Sequence, residues 1–427
     1  MPPRSTRRRR AALWTLLATG FLFVNFHRTA TAVLADSLAR TFDATGSQLG
    51  LLHASFFYVY APLQLPAGLI VDRYGPRWVG AAGLGLLTVG VGWFALSESL
   101  PAAFLARAVV GLGGSVLYIG TLRFCAVWFR GDQYATMTGY TVAAAGLGGI
   151  LATTPLAMAT AAVGWRTAML AAAATTGLLT LAIAAFVRDT PARAGLETAG
   201  DDGGGDADAA SLAEVVANVR TVVAERETWL MGAILFCVLG VNFTVLGLWG
   251  VPFLVDTYGI SLARASTFVL VGNVGFVLGS PLLGALSDRL GRRTELVVAA
   301  AVLFTLAYAA LVLVPPLAVV APVFFFALLA NGGVALVFTV GKERHAPAVA
   351  GTVTGVVNGF GYLGAAVLPA VLGGVLDAYW TGEVLNGARV YTVVGYRIAF
   401  GVAAVAGLVA TLAAVRLHRR ETPTVGR

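Results

Sequence analysis

Long apolar blocks set the rhythm of this chain. From Ala11 to Val415, stretches of about 20 residues nearly free of charge alternate with short segments rich in Asp, Arg and Lys. About 20 apolar residues is the length a helix needs to cross a bilayer. Strands of a membrane barrel are about 10 residues long and alternate in polarity, so a barrel is excluded. The blocks predict spans at 11–35, 46–71, 78–97, 101–127, 135–158, 166–187, 229–255, 263–287, 294–314, 317–340, 349–376 and 393–415. The expected fold class is an all-α membrane protein of twelve transmembrane helices.

The one long polar segment, 188–228, separates six spans from six. It contains GDDGGGDADAAS, which reads as disordered linker, followed by SLAEVVANVRTVVAERE, which reads as an amphipathic helix at a membrane surface. The expected domains are an N-terminal bundle at 1–187, the linker, and a C-terminal bundle at 229–427.

Composition agrees with this. Of 427 residues, 58% are hydrophobic and 12% charged, where a soluble chain carries about 25% charged residues. The net charge of +8 raises the question of nucleic acid, but the basic residues sit at the span ends, so none is expected. With the N-terminus inside, the inner segments hold 21 basic residues and the outer ones 5. Basic residues favour the cytoplasmic side, so both termini are expected in the cytoplasm, in the plasma membrane. RSTRRRR before an apolar run imitates a signal peptide. The run is longer than the ~7–15 residues such a peptide uses, so an uncleaved first span is expected. Cys125 and Cys237 lie in apolar segments and read as small core residues.

The chain also matches itself at an offset of 216 residues. GLIVDRYGPR, ending span 2, faces GALSDRLGRR, ending span 8, so Asp72, Arg73 and Arg77 correspond to Asp288, Arg289 and Arg293. ATMTGYTVAAAGLGG, opening span 5, faces GTVTGVVNGFGYLGA, opening span 11. VNF recurs at 24–26 and 241–243. A duplicated six-span unit is typical of alternating-access transporters, with the site between the repeats.

The doubled GxxxDRxGxR loop and the motif Arg107-x-x-x-Gly111-x-Gly113 in span 4 resemble the signatures of the major facilitator superfamily. The resemblance covers all twelve spans. It implies that Asp72 and Asp288 face the N-termini of spans 11 and 5 and latch the inner side shut when the protein opens outward, with Arg73, Arg77, Arg289 and Arg293 around them. Helix capping by the same arginines is the alternative.

The stretch FLFVNFHRTATAVL poses the sharpest question. Arg28 lies about 25 Å along the first span. A charge at the bilayer centre costs about 2.5–3.5 kcal/mol or more. Facing a central cavity, the planar guanidinium offers a fork to a carboxylate. NFHR with the aromatic, Gln and Pro pattern of span 2 (Phe57, Tyr60, Gln64, Pro66, Gly68) resembles the anion:cation symporters of organic acids. There the span-one arginine binds the substrate carboxylate, which implies the same of Arg28. His27 stands where that branch often has Asp, and is either a proton carrier or a buried neutral ring. Gly114 replaces the Glu often found after the span-four arginine. Spans 2, 7 and 8 lack an interior arginine, so one cavity arginine suggests a monoanion over a phosphate ester. Asn25 and Asn242 are symmetric and near Arg28, hence cavity candidates. Arg107 is either a second anion partner or a brace between helices. Arg123 is expected to reach for the surface.

The expected function is a secondary active transporter of a small organic anion, coupled or not to protons. Efflux of other compounds and ligand sensing are the alternatives. No cofactor, no metal site, a bilayer environment and a monomer are expected. No motif of an enzyme is found.

Overall fold

The structure is a computed structural model and describes residues 4–194, 212–345, 347–385 and 388–421. Apart from one short hairpin, its regular elements are helices. The helices of the first six predicted spans are α1 (Arg4–Thr29), α2 (Thr31–Phe42), α3 (Gly46–Tyr60), α4 (Gln64–Leu96), α5 (Leu100–Gly114), α6 (Leu117–Trp128), α7 (Gly131–Leu151), α8 (Thr154–Val163) and α9 (Trp165–Phe186). After α10 (Leu212–Ala224) come α11 (Arg226–Thr244), a π-helical turn (Val245–Trp249), α12 (Gly250–Tyr258), α13 (Leu262–Leu290), α14 (Arg293–Val312), α15 (Leu317–Val334), α16 (Val337–Arg344), α17 (Pro347–Ala378) and α18 (Val393–Glu421). The helix expected over 211–227 is α10. Most of the acidic, glycine-rich linker lies outside the described residues.

Among the described residues, ten helices are long and apolar enough to cross a membrane. Predicted spans 1 and 2 are not continuous helices. Span 1 divides after Thr29, and span 2 after Tyr60. Pro62 explains the second break, because it has no N–H to continue the ladder. Predicted spans 4, 5, 7 and 10 are likewise divided, into α5 and α6, α7 and α8, α11 and α12, and α15 and α16, so the twelve apolar blocks are not twelve continuous helices.

Both copies of the repeated loop turn at glycine. Gly75 has φ 79° and ψ 156°, and Gly291 has φ 65° and caps α13 in the left-handed region. At Gly75 there is also no room, because a Cβ would collide with the Asp189 carboxylate. Asp189 in turn accepts the Arg77 backbone N–H at 2.9 Å.

One element was not expected. Between α17 and α18, β1 (Trp380–Leu385) and β2 (Ala388–Tyr391) pair antiparallel, with Trp380 opposite Tyr391.

The N- and C-terminal ends lie on one side. Arg9 donates to the Ala194 carbonyl at 3.0 Å, and Arg420 to Glu227 at 2.8 Å. The hairpin is on the far side. The helices of predicted spans 1–6 meet those of spans 7–12 along two seams, α3 with α17 and α7 with α13. On the far side the seams are closed at backbone distance. A Cβ on Gly50 would collide with Pro369, and one on Gly373 with Gly46. Ser266 reaches Thr154 at 3.4 Å. Toward the terminus side, Gly68, Gly139, Gly284 and Gly359 meet nothing within 4 Å. The molecule is shut on the far side, and these glycines on the terminus side face open space.

Candidate functional site

Span 1 carries Arg28 to the middle of the molecule, between the seams. Its guanidinium carbon lies 4.3 Å from the centre of the Phe243 ring, in the seventh predicted span. A cation over an aromatic face is stabilised by about 0.5–2 kcal/mol. Phe243 stacks on Phe57, centroids 5.8 Å apart, and both stack on Tyr362 at 6.3 and 6.1 Å. Tyr60 packs against Tyr362 at 4.7 Å. Four rings from spans 2, 7 and 11 thus wall in one cation.

A cavity of about 30 Å³ lies against Arg28. Its polar lining is Thr29, His53, Asn242 and Asn273, and no carboxylate lines it. It has room for about two or three waters. Glycines bring the helices this close. A Cβ on Gly149 would stand 2.6 Å from Asn273 Oδ1, and one on Gly146 would collide with Val277.

His53 joins span 1 to span 7. Its Nδ1 is 2.6 Å from Thr31 Oγ1, which donates to the Gly247 carbonyl at 3.0 Å. The single hydroxyl hydrogen is committed to Gly247, so Nδ1 carries the proton of the other bond. Gly247 lies in the π-helical turn, a local widening of the kind often found at functional sites. Thr31 and Gly247 are also 216 residues apart, so the two repeats touch at corresponding positions.

The other expected site residues divide. Tyr60 and Asn242 are brought to Arg28. Asn242 is also tied down. Its amide donates to the Ala327 carbonyl and to Asn331 Oδ1, both at 2.9 Å, and its oxygen accepts from Tyr308 at 2.7 Å. Asn25, its repeat counterpart, donates to the Phe21 carbonyl of its own helix at 2.9 Å and does not line the cavity. His27 is buried between Phe23 and Phe26, and neither ring nitrogen has a hydrogen-bond partner. Gln64 donates to the Tyr60 and Ser115 carbonyls at 3.4 Å. Arg107, 2% exposed, donates to Leu52 O at 3.1 Å and His27 O at 3.3 Å. It braces spans 1, 2 and 4 and does not line the cavity.

The loop aspartates pair within their own half of the chain in this conformation. Asp72 meets Arg123 at 3.1 Å, and Asp288 meets Arg293 at 3.9 Å. Arg123 reaches the surface as expected and meets Asp72 there. Arg293 also binds Glu343. Arg77 donates twice to the Ala184 carbonyl, at 2.9 and 2.7 Å, near the end of α9. Arg73 lies over Tyr74, and Arg289 is exposed in the last turn of α13.

Sequence reasoning missed His53, Phe243, Asn273 and Tyr362. A signal existed for the first. His53, Phe57, Tyr60 and Gln64 are spaced by four, three and four residues, one face of a helix. For the rest there was only an aromatic or amide in an apolar run.

Comparison with known proteins agrees with this geometry. The Major Facilitator Superfamily model matches residues 16–369. The chain is 28% identical over 378 residues to the probable sulfoacetate transporter SauU of Cupriavidus necator, covering 81% of this chain and 82% of that protein. It is 27% identical over 387 residues to the membrane sensor protein UhpC of Salmonella typhimurium, covering 85% of each. In fold it is similar to a bacterial homologue of the human lysosomal transporter Spinster, solved inward-facing and unoccupied, with a TM-score of 0.79, 18% identity and coverage of 96% and 97%.

Proposed function

The chain belongs to the Major Facilitator Superfamily, and on that premise we propose that it carries a small organic anion, a monocarboxylate or a compact sulfonate, across the plasma membrane by alternating access. It is a transporter and not an enzyme. The observation that carries the substrate class is Arg28, a cation on a cavity lined by no carboxylate. A single planar fork matches one carboxylate or sulfonate. A dianionic phosphate ester would leave charge uncompensated in so small a space. The similarity to a probable sulfoacetate transporter supports the organic-anion class, though not its single charge, since sulfoacetate carries a carboxylate and a sulfonate.

The rest of the reading follows. The terminus side is the cytoplasm, the conformation is inward-open, and there are twelve crossings, six of them made of broken helices. Residues 1–187 and 229–427 are the two moving bundles, joined by 188–228.

The test is uptake of labelled C2–C4 carboxylates and sulfonates into vesicles, alongside thermal stabilisation of the purified protein by the same panel. Arg28→Ala is expected to abolish both signals, and Arg28→Lys to weaken affinity while sparing some transport. Unchanged uptake in Arg28→Ala would remove the anion assignment. The similarity to a membrane sensor favours one second reading, a ligand receptor. Stabilisation by an anion with no uptake of it would establish that instead.

A further inference from the structure

The first turn of α3 is capped from two directions. A helix leaves four backbone N–H groups at its N-terminus without internal partners. Here these belong to Thr45, Gly46, Ser47 and Gln48. The local capping box takes two of them. Thr45 Oγ1 accepts the Gln48 N–H at 3.2 Å, and Gln48 Oε1 accepts the Thr45 N–H at 2.9 Å. The remaining two point across the seam. Gly46 N–H donates to Asp377 Oδ1 at 2.6 Å, and Ser47 N–H to Asp377 Oδ2 at 2.7 Å. Asp377 is near the end of α17, so one carboxylate caps a helix that begins more than 300 residues earlier.

The surroundings fit a contact made to open and close. Arg389, on β2, stands 3.7 Å from Asp377 Oδ1 and steadies the carboxylate. Gly46 and Gly50 lie at backbone distance from Gly373 and Pro369, so the helices close fully only with small residues there. The capping box stays with α3 whether or not α17 is near. Separation therefore costs the helix only the two N–H groups that Asp377 satisfies, and water replaces it there.

We propose that Asp377 is the far-side latch of the transport cycle, a positioning residue that holds spans 2 and 11 together through the exposed dipole end of α3 and releases them when the protein opens outward. The proposal goes beyond the substrate reading, and its test needs no substrate.

The test places nitroxide labels at Arg40→Cys and Arg264→Cys, both exposed at the far ends of spans 1 and 8. Cys125 and Cys237 are buried and do not compete for label. Double electron–electron resonance then reads the distance between the two bundles in detergent without substrate. Asp377→Asn puts an amide where two donors converge, and Asp377→Ala removes the acceptor. Both are expected to raise the population of the longer distance, shifting the open-to-closed ratio by about tenfold or more, as loss of hydrogen bonds to a charged group implies. Glu383→Gln, on the same hairpin and exposed, is expected to leave the distribution unchanged. An unchanged distribution in the Asp377 variants, or an equal shift in Glu383→Gln, overturns the proposal. Should the Asp377 variants not fold, Arg389→Gln carries the same test, with a smaller shift in the same direction, and no shift overturns it. Loss of anion binding by Arg28→Ala reports on the cavity alone and bears on neither outcome.

Discussion

Thr31 shows how one hydroxyl can serve two repeats. It donates to Gly247 in one and accepts from His53 in the other, so both partners lose a bond if it goes. Thr31→Val keeps the shape and removes the hydroxyl. It is expected to destabilise the protein by about 1–3 kcal/mol, the cost of leaving buried polar groups unpaired. Thr31→Ser is expected to retain most of the stability, and thermal unfolding of the two variants checks the difference. Arg28 was legible in the sequence because a charge in hydrocarbon is an anomaly that needs a reason. Its aromatic wall was only half legible. Phe57 and Tyr60 belong to a pattern on span 2, but Phe243 and Tyr362 look like any ring in an apolar span until the faces are known. Asn25 and Asn242 make the limit plain. The repeat places them symmetrically, yet one bonds its own helix and the other a neighbouring helix and two side chains. The packing of neighbours decided this, and a pairwise match within one sequence does not contain it.

At the scale of elements, hydropathy located the apolar helical stretches, ten of them long enough to cross a membrane among the described residues, and the 216-residue repeat located both turning loops. What it could not see was continuity. A broken span and an intact one have the same mean hydropathy, and only Pro62 hinted at the break in span 2. The hairpin between α17 and α18 escaped because its strands are too short to rise above the spans flanking them. The two loop glycines allow a comparison within one molecule. Gly75 sits at φ 79°, ψ 156°, a region open essentially to glycine alone, with a carboxylate against its vacant Cβ position. Gly291 has an ordinary left-handed cap, with nothing within 4 Å of that position. Gly75→Ala is expected to cost about 2–3 kcal/mol, and Gly291→Ala only about 1–2 kcal/mol. Melting temperatures of the two variants should separate accordingly, although the loops match in sequence.

For the molecule as a whole, the proposed alternating access makes opening and closing an exchange of polar partners. In the present conformation Asp72 is held by Arg123, a pair 38% and 49% exposed, and such pairs are worth about 0–1 kcal/mol. Arg123→Gln is therefore expected to leave the melting temperature nearly unchanged. Asp72→Asn is expected to slow transport, because the latch expected from the sequence uses the aspartate again when the inner side shuts. Equal losses of transport in the two variants would tie Asp72 to Arg123 alone. The site between the bundles has one more consequence. The space directly against Arg28 is small, so the anion of the proposed function would shed part of its hydration shell to meet the guanidinium. Ring faces and one guanidinium replace that shell incompletely. Under that proposal, selection among anions of equal charge depends on the water each gives up as well as on its fit to the guanidinium fork.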